Sequence, residues 1–324
     1  MAKIARALAR RMFAGGNTAE GFRSFYNHII GQDAARVIVI KGGPGVGKST
    51  FMKHIADHIT SLGQSVDFFH CSSDPGSLDG VVFPQIGVAL IDGTAPHIVD
   101  PRFPGAVDEI LYLGDYWNES AIRASRNDIV ACTKNISRLF QRAYRFLRTA
   151  GDVLDDWSEA NAEALMTGVA NKIARSVVDQ IAGDAPVADC PGAERHLFAS
   201  AITPDGFVNY LDTVVSGCDR RYIVQGGPGS GKSTLISRVA ARAVECGMGV
   251  ELFHCSLNPA SLEHLVIPSI GTAIVTSVEP HEWKGLPGSS VDDVIIDMDQ
   301  CLDPATVRRN RDIIEYDRNL MHEA

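Results

Sequence analysis

Short apolar runs rich in β-branched residues, several of them bounded by glycine, recur in both halves of the chain. VIVI (37–40) and YIV (222–224) each precede a glycine-rich stretch, and VDFFHC (66–71) and GVALI (87–91) follow the first of them. Runs of this length next to glycine are typical of strands that are buried in a parallel sheet. The pattern therefore predicts an α/β fold with a mostly parallel sheet.

Apolar residues at spacings of three and four predict helices after each glycine-rich stretch. STFMKHIADHI (49–59) shows the pattern, and STLISRVAARAV (233–244) repeats it. Residues 131–182 contain no strand-like run, and their spacing predicts two helices with a break near Gly151 and Asp152. The apolar positions of that pair are residues 136, 139, 140, 143 and 147, then 165, 169, 173, 177 and 181.

The two halves of the chain match each other at a spacing of 184 residues. GGPGVGKST (42–50) and GGPGSGKST (226–234) agree at eight of nine positions, and 23 of 50 positions agree without a gap as far as residue 91. A repeat this long indicates a duplicated domain. Because joining the two chains of a homodimer produces such a duplication, we expect the two repeats to pair within the molecule.

The repeat sets the predicted domain boundaries. The first domain is predicted over residues 1–130 and the second over 195–324. Residues 131–194 have no counterpart and are predicted to form a helical hairpin insert and a linker.

Each repeated nonapeptide has the form G-x-x-x-x-G-K-S/T, between a predicted strand and a predicted helix. Glycines let a loop curl so that its N–H groups point at an anion, and the lysine brings a positive charge to the phosphates. We therefore predict that both stretches, called below the first glycine loop (42–50) and the second glycine loop (226–234), bind a nucleotide. Their residues are Gly42, Gly43, Pro44, Gly45, Val46, Gly47, Lys48, Ser49 and Thr50, and Gly226, Gly227, Pro228, Gly229, Ser230, Gly231, Lys232, Ser233 and Thr234.

Through these two loops the chain resembles the P-loop NTPase superfamily. The strings FHCSSDPGSLDG and IDGTAPHIVDPRFPGAVDEILYLGDYW, together with the tandem arrangement, resemble a group of bacterial proteins with two P-loop halves that are described as ATPases or nucleotide-kinase-like. The resemblance implies two tandem P-loop NTPase domains, each with helices on both faces of a mostly parallel sheet. It implies ATP and Mg²⁺ as cofactors, and it implies no second substrate.

An acidic residue at the end of a second buried strand holds Mg²⁺ in P-loop enzymes. Asp92 ends GVALID, so we predict Ser49 and Asp92 as metal-side residues, with Ser233 in the second loop. An aspartate that only caps a turn is the alternative. In the second repeat Thr276 replaces Asp92, and VIIDMD (294–299) offers acidic residues at a different position. We therefore expect the first domain to be more active and the second to be degenerate and regulatory.

Two histidines complete the predicted catalytic set. His70 ends the strand VDFFH, and His97 follows Asp92 in TAPH. At the carboxyl end of a parallel strand, a histidine is placed to position water or to contact a γ-phosphate. The catalytic set is therefore Lys48, Asp92, His97 and His70, with a purely structural histidine as the alternative at both histidine positions.

Composition narrows the class of protein. With 45% hydrophobic residues and a formal net charge of −9, the chain is of globular type, and the charge argues against a protein that coats nucleic acid. Seven cysteines without a C-x-x-C pair favour a reduced, cytoplasmic protein. No apolar stretch is long enough to span a membrane. The first eleven residues are predicted to form a short amphipathic helix, with a targeting or membrane-surface helix as the alternative.

Three functions fit these features. The first is a Mg²⁺-dependent ATP hydrolase whose two halves change their contact with nucleotide state. The second is a small-molecule or nucleotide kinase with the helical insert as its lid. The third is a nucleotide-gated binding module without turnover. Because the chain lacks the N-K-x-D string that reads guanine, ATP is favoured over GTP.

Overall fold

The computed structural model describes residues 8–95, 98–279, 282–286 and 293–323. They form a mixed α/β structure in which the chain divides into two compact units. Unit one contains the described residues of Met1–Asn17, Gly21–Arg145 and Ala199–Val214. Unit two contains the described residues of Thr18–Glu20, Phe146–Phe198 and Val215–Ala324.

The described residues of the first half of the chain form eight strands and two helices. The strands are β1 Ala9–Met12, β2 Gly15–Thr18, β3 Gly21–Ser24, β4 Arg36–Lys41, β5 Val66–His70, β6 Leu78–Phe83, β7 Val88–Asp92 and β8 Asp108–Tyr112, and the helices are α1 Lys48–Ser61 and α2 Glu119–Ala124. Six of these strands form one sheet in the order β1-β5-β6-β7-β4-β8, in which β6 runs antiparallel to its neighbours and the other pairs are parallel.

The middle of the chain forms two long helices, α3 Arg126–Ala162 and α4 Thr167–Ala182. The predicted break near Gly151 and Asp152 is wrong, because α3 is continuous there and the chain turns at residues 163–166. Gly151 is buried in unit two, and a Cβ added to it would come within 2.8 Å of the Cβ of Ala19. The glycine therefore serves close packing, and the helix tolerates its cost of about 1 kcal/mol.

The second half repeats the strand order of the first. Its elements are β9 Glu194–Leu197, β10 Ser200–Thr203, β11 Gly206–Asn209, α5 Leu211–Val214, β12 Arg220–Gln225, α6 Lys232–Glu245, β13 Val250–His254, β14 Leu262–Ile267, β15 Thr272–Thr276, β16 Asp293–Asp297, α7 Pro304–Arg309 and α8 Arg311–Glu323. Six of these strands form a sheet in the order β16-β12-β15-β14-β13-β9, in which β14 runs antiparallel to its neighbours and the other pairs are parallel. Short 3₁₀ helices lie at Tyr26–His28, Pro84–Ile86, Leu113–Tyr116, Pro268–Ile270 and Asp299–Cys301.

Each sheet buries one face under the helix that follows its glycine loop. In unit one, Met52 and Ala56 of α1 pack on Ile40 and Leu90 of the sheet. In unit two, the core contains residues of α6 and also Ala174 and Val177 of α4. The second helix of the insert is therefore part of the core of unit two.

Residues 199–214 of the second repeat belong to unit one. There β10 pairs antiparallel with β11 and with β2, which gives a four-stranded sheet in the order β11-β10-β2-β3. Tyr210 stacks on Phe13 with 5.3 Å between the ring centroids. A segment of the second copy therefore completes the packing of unit one.

The first described residues form a strand where a helix was predicted. The prediction covered the first eleven residues, of which the first seven lie outside the described ranges, and β1 occupies Ala9–Met12. The Arg10 guanidinium donates to both carboxylate oxygens of Asp67, at 2.8 and 2.7 Å, on the adjacent strand β5. This two-pronged ion pair compensates for the buried Asp67 charge and favours the strand over the local helix pattern.

Within the described ranges, no helix combines the length and the apolar composition that crossing a membrane requires. All seven cysteines are free thiols.

Candidate functional site

The first glycine loop joins strand β4 to helix α1. Gly45 and Gly47 have φ angles of 76° and 91°, in the left-handed region that glycine adopts without strain. Gly47 is the residue before α1, and this helix begins without a side-chain cap and without an acidic residue in its first turn. Its N-terminal N–H groups and the positive end of its dipole therefore face the loop.

Lys48 lies inside the curl of this loop. Its Nζ donates to the carbonyl oxygens of Gly42 and Gly43 at 2.8 and 2.9 Å, and it lies 3.4 Å from Oδ2 of Asp92. The residue is only 8% exposed. The buried ammonium group therefore lies between two main-chain carbonyl oxygens and a carboxylate.

Asp92 is held beside the loop by its position in the sheet. It ends β7, pairs with Ile40 of β4, and accepts a hydrogen bond from the amide of Thr94 at 2.9 Å through Oδ1. The Thr94 hydroxyl in turn donates to the carbonyl oxygen of Gly42 at 2.8 Å. Asp92 therefore lies where the strand pattern predicts it, next to Lys48.

Ser49 ties the start of α1 to strand β6. Its Oγ accepts a hydrogen bond from the amide of Leu78 at 3.0 Å. The next residue on β6 is Asp79, which is 5% exposed. Burial raises the pKa of Asp79 to about 6, helped by the charges of Asp92 and Asp74 and opposed by polar contacts with Tyr26 and Cys71.

Asp79 and Trp117 are neighbours of the site that the sequence interpretation missed. The signal for Asp79 was present, because the repeat aligns it with Glu263, so both halves carry an acid there. Trp117 packs its indole ring over Gly43, where an added Cβ would come within 3.2 Å of the ring. No local sequence signal identifies Trp117, since its contact depends on how the 3₁₀ helix Leu113–Tyr116 turns the chain.

Of the two predicted histidines, one lies in the packing of unit one and the other is outside the described residues. Nδ1 of His70 lies 2.9 Å from the carbonyl oxygen of Pro75, and its ring centroid is 4.7 Å from that of Tyr210. Burial lowers the pKa of His70, which favours the neutral imidazole. These contacts are typical of a structural histidine. His97 lies outside the described residues, and the catalytic role of either histidine stays a prediction.

The second glycine loop repeats the local geometry of the first. It joins β12 to α6, and Gly229 and Gly231 have φ angles of 76° and 94°. Nζ of Lys232 donates to the carbonyl oxygens of Gly226 and Gly227 at 2.7 and 2.6 Å. Ser233 Oγ accepts from the amide of Leu262 at 3.1 Å.

Helix α3 covers the second glycine loop. The side-chain amide of Asn161 donates to the carbonyl oxygen of Pro228 at 2.7 Å, and a Cβ added at Gly229 would clash with the Ser158 carbonyl oxygen. At Gly45, the matching glycine of the first loop, a Cβ would meet nothing within 4 Å. Residues 226–231 are all buried or half-buried, whereas Pro44, Gly45 and Gly47 are exposed.

The acidic groups near the second loop also differ from those near the first. Thr276 occupies the strand position of Asp92, and Asp299 Oδ1 accepts a hydrogen bond from the amide of Gly227 at 2.9 Å. Burial lowers the pKa of Lys232 to about 8, opposed by the charges of Asp299 and Glu263. Asp299 and helix α3 therefore already contact the main chain of this loop.

Within the described residues, no group of three or more His, Cys, Asp or Glu side chains is arranged to hold a metal ion. The oxygen atoms of Ser49 and Asp92 are ligands of the kind that Mg²⁺ takes. Mg²⁺ at nucleotide sites is commonly held by one or two carboxylates, with water and substrate phosphates filling the other positions. The residues around the first loop therefore fit a nucleotide-bound Mg²⁺.

A family model matches part of the chain. The family is described as Nephrocystin 3, N-terminal, and the match covers residues 22–79, which include the first glycine loop and less than a fifth of the chain. This family is associated with P-loop-like NTPases. Neither a curated protein nor a solved structure gives a significant match to this chain.

Proposed function

We propose that the chain consists of two tandem P-loop NTPase domains and that the first binds and hydrolyses ATP with Mg²⁺. The observation that carries the proposal is the first glycine loop, where Lys48 lies between curled main chain and Asp92 and the glycines remain open. The match of residues 22–79 to a family associated with P-loop-like NTPases supports the same assignment.

In this proposal the residues of unit one have distinct tasks. The loop amides and the start of α1 hold the phosphates. Lys48 exchanges its hydrogen bonds to the Gly42 and Gly43 carbonyl oxygens for contacts with the terminal phosphates of the nucleotide. Ser49 and Asp92 would hold Mg²⁺, which neutralises charge on the transferred phosphoryl group when it is bound. The hydrogen bond from Thr94 keeps Asp92 oriented toward the loop.

The second domain is proposed to be regulatory. Asn161 and Ser158 of α3 lie on the second loop, and Asp299 accepts from the Gly227 amide that would otherwise face a phosphate. Binding of ATP there requires these contacts to open, so occupancy of the second loop couples to the position of α3.

The test is ATP turnover by the wild type and by two matched variants, Lys48→Ala and Lys232→Ala. We expect Lys48→Ala to abolish turnover, because the lysine contacts the transferred phosphate, and Lys232→Ala to leave turnover measurable or altered in rate. Inorganic phosphate release at saturating Mg²⁺ and ATP measures both. Equal loss in the two variants would contradict the assignment of different roles to the two domains.

A small-molecule kinase is the second candidate, and a cavity in unit one favours it. The cavity has a volume of about 320 Å³, which is in the range of small-ligand sites, and it is lined by Tyr26, Val39, Ile91, Asp100 and Phe103 among others. Ile91 precedes Asp92, so the cavity adjoins the strand that leads to the proposed metal site. A kinase would consume ATP only with an acceptor present, a hydrolase would consume it alone, and a nucleotide-gated module would bind it with almost no turnover.

A further inference from the structure

Asp79 is a buried acid of unit one whose polar contacts, with Tyr26 and Cys71, bring no positive charge to it. It is 5% exposed, and its Oδ2 makes no hydrogen bond with any residue that the structure describes. Arg10 pairs with the buried Asp67 on the neighbouring strand, but no ion pair to Asp79 is found among the described residues. A buried carboxylate without an ion pair is costly, so its presence calls for a ligand.

The sheet places this carboxylate on the same side as the first glycine loop. The last paired residues of β6 and β7 are Gly80 and Ile91, so Asp79 and Asp92 come next on the two antiparallel strands. Strand alternation points both side chains to the face that carries Val81 and Leu90, and that face packs against α1.

Two further contacts bring Asp79 to the beginning of α1. Ser49, the second residue of that helix, accepts from the amide of Leu78, the residue immediately before Asp79. Asp92, which stands opposite Asp79 in the register of β6 and β7, lies 3.4 Å from Lys48. Asp79, Asp92 and Ser49 therefore all lie near the start of the helix.

We propose that Asp79 is a second carboxylate for the Mg²⁺ of the first glycine loop, beside Asp92 and Ser49. The inference rests on the proposed function, since the cation enters together with the phosphates of a nucleotide. Mg²⁺ prefers oxygen ligands and is commonly held by one or two carboxylates at nucleotide sites. The cation supplies the positive charge that the buried Asp79 otherwise lacks.

The second repeat carries the same acidic position. Glu263 aligns with Asp79, lies at the same place on β14, and is 6% exposed. Thr276 replaces Asp92. Both units therefore have an acidic residue at the position of Asp79, whereas unit one alone has an acidic residue at the position of Asp92. The sequence pair Asp79 and Glu263 thus marks a position at which both copies bury an acidic side chain.

The experiment measures Mn²⁺ binding to the full chain by electron paramagnetic resonance, with a non-hydrolysable ATP analogue present. We expect Asp79→Asn to weaken Mn²⁺ binding by about tenfold or more, the loss that removal of a group supporting a metal typically causes. Binding of the analogue without a divalent cation should be unchanged. The matched control is Asp57→Asn, which removes an exposed charge from α1 and should leave Mn²⁺ binding unchanged.

Two further readouts separate a metal role from a structural one. Asp79→Asn should raise the melting temperature of the metal-free protein, because it removes a buried charge, whereas loss of a structural contact would lower it. Asp79→Glu introduces the residue of the second repeat and should retain Mn²⁺ binding, which keeps the test decisive if the Asn variant fails to fold.

Three results would overturn the inference, and they have different consequences for the proposed function. If Asp79→Asn folds and binds Mn²⁺ as the wild type does, the role of Asp79 is refuted while nucleotide binding stands. If Asp79→Glu folds but loses Mn²⁺, the position does not hold the cation through a carboxylate. If the wild type binds neither the analogue nor Mn²⁺, both proposals are wrong.

Discussion

Lys232 shows how one residue type acquires a different chemistry from its surroundings. Like Lys48, it donates to two carbonyl oxygens of its own loop. In unit two, burial lowers the pKa of Lys232 to about 8, so its ammonium group is less stable in the native state than in water. The lysine that the sequence marks as a phosphate ligand is therefore also a source of pH-dependent stability.

We predict that the contribution of Lys232 to stability rises with pH above about 8. The native state releases this proton before the unfolded chain does, near pH 10.5, so raising the pH through this window favours folding. The unfolding free energy of the wild type minus that of Lys232→Met should increase by about 2 kcal/mol between pH 8 and about pH 9.5. Denaturant unfolding at each pH measures the difference.

Lys172→Met is the matched control, because it removes an exposed lysine of α4 in the same unit. A difference for Lys232→Met that stays constant across this window, or that decreases with pH, would contradict the prediction.

Sequence reasoning located residues whose position is set by the neighbouring sequence, and it located less well those whose position depends on distant parts of the chain. Lys48 and Asp92 follow from a motif and a strand end, and they lie 3.4 Å apart. Asp79 was passed over because its strand, LDGVVF, has no motif, although its alignment with Glu263 was visible. Trp117 could not be predicted at all, since only the three-dimensional turn at residues 113–116 brings its ring to Gly43.

At the scale of elements, helix α3 departs most from the sequence prediction. Its apolar spacing indicates a helix correctly. The predicted break at Gly151 is wrong because this glycine is buried inside the continuous helix. Where α3 ends, Asn161 contacts Pro228, and Asn310 donates to the carbonyl oxygen of Ala160 at 2.9 Å. The sequence of the second glycine loop does not predict its contact with α3, because the contacting residues lie more than sixty positions away in sequence.

We predict that Asn161→Ala weakens the cover of the second glycine loop. Asn161 is buried, and its amide makes a 2.7 Å hydrogen bond whose loss leaves the Pro228 carbonyl without this donor. The free energy of unfolding should fall by about 1–3 kcal/mol, and amide hydrogen exchange at residues 158–165 should accelerate.

Asn135→Ala supplies the control for this change, because Asn135 is an exposed residue of the same helix. If both variants lose the same small amount of stability and show the same amide hydrogen exchange, the hydrogen bond to Pro228 does not hold α3 against the second glycine loop.

At the scale of the whole molecule, the duplication was the strongest sequence signal, and the two sheets have the same strand order. The compact units nevertheless differ from a simple cut between repeats, because residues 199–214 of the second copy belong to unit one. Sequence similarity could align the two copies but carried no information on which unit β10 and β11 join, since that depends on pairing with β2. Loops that agree at eight of nine positions but have unlike surroundings are the basis for proposing one active and one regulatory domain.

The most direct test of the central claim compares two glycines with the same backbone geometry. Gly45 lies in the first glycine loop with φ 76°, and Gly63 follows α1 with φ 80°, and a Cβ on either would meet nothing within 4 Å. Substitution by alanine therefore imposes a similar backbone strain of about 1 kcal/mol at each position. Only the change at Gly45 alters the loop whose amides are proposed to hold the phosphates.

The measurement is calorimetric titration of the full chain with Mg²⁺ and a non-hydrolysable ATP analogue. We expect the wild type and Gly63→Ala to bind one nucleotide per chain tightly, and Gly45→Ala to lose this binding although its stability matches that of Gly63→Ala. Nucleotide binding that survives in Gly45→Ala, or that is equally impaired in Gly63→Ala, would contradict the claim that the first loop binds the phosphates through its main chain.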